Sequence, residues 1–212
     1  MEVKGKKEQL VESAMSLILK KGYSHTSVED ITNDVGIAKG SFYTYFKSKN
    51  LLLVTIIDSK INDVLENQKN QMGTSRSFDE ILWKNINSRV KFSGDNLKRE
   101  LVLINLIRNI DVLGREIRDL LVKLEELNIE FIEKAITKYK DELKVDVKDI
   151  TRYSQMLNAV IRDFKMTNIF FDTDGKDNFF VRDMVTAEKK MNDGAFDDGI
   201  EFIYQNTLKV LK

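Results

Sequence analysis

The chain has 212 residues, 42% of them hydrophobic, enough for one sizeable core or for a small domain joined to a larger one. Its 34 basic side chains are matched by 34 acidic ones, which excludes a uniformly basic nucleic-acid binder and requires any basic patch to be local. It has no cysteine, so disulfides, thiolate nucleophiles and Cys-ligated metal centres are excluded, in keeping with a reducing compartment.

The first predicted helix runs over about residues 4 to 21, where Leu10, Val11, Ala14, Leu17 and Ile18 fall on one stripe and Lys20, Lys21 and Gly22 supply a basic last turn and a C-cap. Thr26 or Ser27 caps a second, short helix whose Val28, Ile31 and Val35 face inward, and Gly36 offers the left-handed residue that ends it. Residues 38 to 46 form a third short helix, and Ser48 caps a longer one over about 49 to 72. Further helices are expected at about 78 to 93, opened by a Ser77/Glu80 capping box, and from Asp95 to about 109. Residues 111 to 142 read as one helix or two, followed by 150 to 171, the turn DTDGKD, a segment at 178 to 191, and a last helix at about 195 to 211. With no proline to break helices and helical spacing throughout, the fold class is all-α.

The N-terminus carries charges where a signal peptide needs an apolar core, and the apolar runs Leu51 to Val54 and Ile169 to Phe171 are too short to span a bilayer. A cytoplasmic protein without membrane contact is expected. Enzyme chemistry finds few handholds. His25 is the only histidine, which removes His-ligated zinc and Glu-x-x-His di-iron sites and leaves no candidate for a nucleophile-histidine pair beyond it. No glycine-rich phosphate loop is present, and in DTDGKD the glycine stands at the wrong offset for a calcium loop. Carboxylates alternate with lysines as on a solvated helix face. A protein that is not an enzyme, with no cofactor and no metal, follows as the expectation.

The stretch KGSFYTYFKSK carries a chemistry of its own. Phe42 and Phe46 at i, i+4 anchor the helix, which turns Lys39, Ser41, Tyr43 and Thr44 to other faces. Lysine, serine, threonine and tyrosine are the residue types that hold DNA phosphates, and base edges are read from the start of a recognition helix. Lys39, Ser41, Tyr43, Thr44, Tyr45 and Lys49 therefore suit DNA docking, and Gly40 lets the backbone approach a groove. Taken alone, the pattern also fits aromatic packing with solvated lysines. Two short helices around a glycine turn are a helix-turn-helix unit or part of an ordinary bundle.

From about Lys7 to Leu52, the run KKGYSHTSVEDI, the turn VGIAKGS and the block FYTYFKSKNLL closely resemble the N-terminal domain of TetR-family transcriptional regulators. The resemblance implies a helix-turn-helix DNA-binding domain over residues 1–48 and a helical effector-binding and dimerisation domain over 49–212. It also implies a homodimer on a palindromic double-stranded DNA operator, acting as a repressor under control of a small-molecule effector. Carried over by position, Lys39 and Gly40 resemble base contacts, and Thr26, Ser27, Ser41, Tyr43, Thr44, Tyr45 and Lys49 resemble phosphate or groove contacts. Ala38 stands where the family usually has a capping serine, Thr32 where an alanine is common and Asn50 where a glutamate is. Beyond residue 60 the likeness is one of architecture. The helices at 150 to 171 and 195 to 211 are expected to dimerise through Tyr153, Leu157, Ile161, Phe164, Phe202 and Leu208, or else to close the monomer core with them. Trp83, Phe92, Asn105, Arg108, Asn109 and Arg162 have the chemistry to line a pocket, or serve as surface and packing residues. The competing reading is a helical ligand-binding or interaction module without operator activity.

Overall fold

The structure, a computed structural model, describes residues 5–171, 181 and 183–212. The turn DTDGKD and the beginning of the segment at 178 to 191 lie outside them. Helices α1 (Lys6–Lys21), α2 (Val28–Val35), α3 (Lys39–Tyr45), α4 (Lys49–Thr74), α5 (Phe78–Val90), α6 (Gly94–Arg108), α7 (Arg115–Lys138), α8 (Ile150–Lys165), α9 (Met184–Met191) and α10 (Gly194–Leu211) make up the fold, with no strand among the described residues. The stretch read as one helix or two is a single helix, α7, flanked by 3-10 turns at Ile110–Val112 and Lys140–Glu142. After α8 the backbone widens into a π turn, Met166–Phe170, with Phe171 N–H donating to Met166 C=O at 2.9 Å.

The chain forms two compact units. The first is built from the described residues of Met1–Ile61, Gly94–Val122 and Arg182–Met184. Its core gathers Leu10, Ala14 and Ile18 of α1, Ile31 of α2, Phe42 and Phe46, Leu52, Leu53, Ile56 and Ile57 of α4, and the buried face of α6. Helix α6 is tied to this group by polar side chains as well. Lys98 pairs with Glu12 and donates to Ser16 Oγ at 2.8 Å, and Glu100 meets Lys60 of α4 at 2.6 Å with both side chains largely buried. The enclosed Lys60–Glu100 pair adds little net stability, because the cost of desolvating both charges offsets their attraction.

The second unit is built from the described residues of Asn62–Ser93, Lys123–Val181 and Val185–Lys212. Ser77 caps α5 by accepting from Glu80 N–H at 3.2 Å, and the Glu80 carboxylate closes on Arg76 N–H at 2.9 Å, one residue before the expected capping-box partner. Helices α5, α8 and α10 pack together. An added Cβ at Gly199 of α10 would lie 2.5 Å from the Phe164 ring, so glycine is what lets that ring rest on the backbone. Leu157 and Ile161 are buried inside this unit, because the inward stripe of α8 is consumed by its own core; for these two the core-closing alternative holds. Tyr153, Phe164 and Leu208 are half-buried, while Phe202 stays 70% exposed.

Candidate nucleic-acid interface

The turn between α1 and α2 and the start of α2 are set by short-range hydrogen bonds. Ser27 Oγ accepts from Asp30 N–H at 3.0 Å, and the Asp30 carboxylate accepts from Ser27 N–H at 2.7 Å and from its hydroxyl at 2.6 Å. Lys21 lies 2.7 Å from the same carboxylate. Hydrogen bonds from Lys21 first, then from the Ser27 side chain and backbone, hold the Asp30 pKa far below the usual carboxylate range. Gly36 ends α2 at φ 72°, ψ 39°, a left-handed geometry that glycine adopts without penalty, and Ile37 N–H donates to Thr32 C=O at 3.0 Å.

Helix α3 then begins at Lys39 with no side-chain cap from Ala38. Phe42 and Phe46 are buried, their ring centroids 5.7 Å apart, so the remaining faces of this helix turn outward. Lys39, Gly40, Ser41, Tyr43, Thr44 and Tyr45 are all exposed, Tyr43 by 52% and Tyr45 by 41%. A Cβ at Gly40 would meet nothing within 4 Å. Lys39 Nζ is 3.6 Å from the Glu29 carboxylate, with both side chains largely in solvent. The outward face thus presents an ammonium group, two aliphatic hydroxyls and two phenols from seven residues, donors of the kind that phosphate oxygens accept. Ser27 is exposed at the start of α2.

Two predicted contacts point elsewhere. Thr26 is 1% exposed and its hydroxyl donates to Gly22 C=O at 2.8 Å. Lys49 is half-buried, donates to Tyr23 C=O at 3.1 Å and Thr26 C=O at 2.8 Å, and lies 3.9 Å from the Tyr23 ring centroid. Burial lowers its pKa against the opposing pull of Asp30. In this structure both residues shape the turn instead of facing outward.

The residues that hold this turn from the other side were not singled out for that purpose in the sequence. Tyr23 N–H donates to Asn105 Oδ1 at 3.1 Å, its hydroxyl donates to Asn50 Oδ1 at 2.8 Å, and Asn109 Nδ2 donates to Asn105 C=O at 2.7 Å. No local pattern announces a contact 82 residues apart. Lys47, exposed in the same FKSK run, is a further cation of this face that spacing alone did not select. Of the six pocket candidates, Asn105, Arg108 and Asn109 belong to the first unit, and Trp83, Phe92 and Arg162 to the second. Trp83 packs edge-on against Tyr204 at 5.1 Å.

A family model described as bacterial regulatory proteins, tetR family, matches residues 10–56. An uncharacterised HTH-type transcriptional regulator of Bacillus subtilis, YerO, is 29% identical over 121 residues, which are 56% of this chain and 41% of that protein. A second uncharacterised HTH-type regulator of the same bacterium, YvdT, is 32% identical over 38% of this chain and 42% of its own length, so this chain spans less than half of the curated relatives it matches. The fold is similar to that of a TetR transcriptional regulator from Legionella pneumophila, with TM-score 0.70 and 17% identity over 98% of this chain and all of that one. Residues 10–56 thus match the N-terminal domain of the tetR family of bacterial regulatory proteins.

Proposed function

We propose that the chain is a sequence-specific DNA-binding transcriptional regulator, a repressor whose hold on its operator is controlled by a small-molecule effector. The observation that carries this reading is the outward face of α3, where Lys39, Ser41, Tyr43, Thr44 and Tyr45 surround a helix anchored by Phe42 and Phe46. Lys39 and Gly40, at the first turn, are assigned to base edges; Ser27, Ser41, Tyr43, Thr44 and Tyr45 are assigned to phosphates and groove walls. Thr26 and Lys49 are assigned a supporting part, fixing the turn that presents Ser27.

In this reading residues 1–48 dock on DNA, and residues 49–212 bind the effector and a second copy of the chain. A homodimer places two recognition helices in successive major grooves of a palindromic site, about 34 Å apart. Effector and operator binding are then coupled reciprocally, typically by about 1–3 kcal/mol. Met156 and Val160, one turn apart on α8 and 48% and 43% exposed, together with Phe202 of α10, supply the apolar face for the second copy. No helix among the described residues is long and apolar enough to cross a membrane, and the operator places the protein in the cytoplasm in this reading.

The test is fluorescence anisotropy on labelled DNA selected by the protein from a genomic library, titrated with salt and compared with a scrambled duplex. Tight binding with a steep negative salt slope is expected, weakened about ten- to a hundredfold in Tyr43→Ala and in Lys39→Ala with unchanged helicity. Failure to enrich any sequence, with equal weak binding to both duplexes, would leave the ligand-binding or interaction module as the reading.

A further inference from the structure

Two acidic residues stand side by side in the first turn of α2, and they are used differently. Asp30 closes the capping box with Ser27 and pairs with Lys21 at 2.7 Å. Glu29 turns its carboxylate outward, with its side chain 66% exposed, and meets the ammonium of Lys39, the first residue of α3, at 3.6 Å. That separation is longer than a charge-assisted hydrogen bond, and an ion pair open to solvent on both sides adds little to stability. An acid in this turn also favours the helix dipole, a part that Asp30 already fills.

On a face that docks against phosphates, a carboxylate is repelled unless a hydrogen-bond donor awaits it. In the major groove the base edges supply donors only at cytosine N4 and adenine N6. The adenine amino group lies between two acceptors, its own N7 and O4 of the paired thymine, and both repel a carboxylate. In a G·C pair, cytosine N4 has an acceptor on one side only, guanine O6, and O6 with N7 forms the two-acceptor edge that a lysine reads. An ammonium and a carboxylate held side by side therefore match the adjoining edges of one G·C pair. Gly40, next to Lys39, favours the close approach this needs: a Cβ there would meet nothing within 4 Å, so the fold itself does not demand glycine.

We infer that Glu29 is a specificity-determining residue of the DNA interface, and that together with Lys39 it reads one G·C base pair in each half of the operator. Lys39 donates to guanine O6 and N7, and Glu29 accepts from cytosine N4. The inference rests on the reading of α3 as a recognition helix. Lys39 by itself recognises only the guanine edge; Glu29 adds a check on the opposite strand. A thymine in place of the cytosine presents O4 to the carboxylate, and the adenine that accompanies it offers the ammonium one acceptor where guanine offers two. On any other sequence the two side chains neutralise each other and lend the docked face no net charge. Glu29 thus works against wrong sequences as much as for the right one.

The experiment uses the full-length protein to select duplexes from a randomised pool, then measures affinity on the selected duplex with each G·C pair exchanged for A·T in turn. For the parent, one exchange in each half-site is expected to weaken binding about ten- to a hundredfold. Glu29→Ala, checked for helicity, should lose most of that penalty and bind a scrambled duplex more tightly than the parent, since a repelled charge is gone. Glu29→Gln should select A·T at the same position, because a side-chain amide meets adenine N6 and N7 together. The inference is overturned if Glu29→Ala selects the parent's half-site with the parent's penalty, the result expected of a carboxylate that only repels DNA or only stabilises α2. A selected operator whose base preference ignores Glu29 sinks this inference alone, whereas a parent that enriches no sequence sinks the regulatory reading and this inference with it.

Discussion

Lys49 sits in the basic run after α3, yet it sends its ammonium group inward to two backbone carbonyls and the face of Tyr23. A flexible lysine stem makes that reach possible, and the nearby turn supplies orphan acceptors. Asp30 shows the same economy, since one carboxylate caps α2 and pairs with Lys21. Its pKa is depressed in the folded chain, so it contributes stability that is fully present above the ordinary carboxylate pKa and is lost as pH falls through the folded value. Asp30→Asn should therefore unfold at lower urea than the parent at pH 7, and the gap should narrow progressively below about pH 4. Urea midpoints at pH 7 and pH 3 check this, and a gap that is the same at both would remove the carboxylate from the account.

Helix α3 has seven residues and begins without a side-chain cap, so its stability rests on Phe42 and Phe46. Ala38 already has the extended backbone of an N-cap, φ −65° and ψ 144°, and Ala38→Ser should add about 1 kcal/mol to unfolding stability, read by denaturant titration. A serine that adds nothing would mean that solvent satisfies those N–H groups equally well. The short helices were legible in the sequence because their signals are local: Ser27 and Asp30 at capping distance, Gly36 at a left-handed position, two phenylalanines at i, i+4. The same locality explains what was not legible. Thr26 and Lys49 have DNA-contacting side chains by type, and only the folded turn shows that their polar atoms are already engaged. Asn105 has no neighbour in sequence that hints at Tyr23, and Leu157 and Ile161 lie on the same apolar stripe whether the covering helix belongs to this chain or to another copy.

At the scale of the molecule, the proposed dimer rests on apolar side chains that the second unit leaves in solvent, Phe202 foremost. Because that ring is 70% exposed, Phe202→Lys should leave the fold intact while splitting the dimer. Sedimentation at micromolar concentration is expected to show a monomer, with operator affinity reduced about a hundredfold or more through loss of the second recognition helix. A variant that sediments as a dimer would move the seam to another face. The all-α architecture and the order of the helices among the described residues were legible, apart from the stretch left as one helix or two, since helical periodicity and caps survive without tertiary context. The composition of the first unit was not. Its chain leaves after Ile61 and returns at Gly94, and the amide of Tyr23 waits for Asn105. On a ribosome, therefore, the α1–α2 turn cannot receive its last hydrogen bonds until α6 has emerged. The segment that carries the proposed DNA-docking face is thus finished late in synthesis, although it is made first.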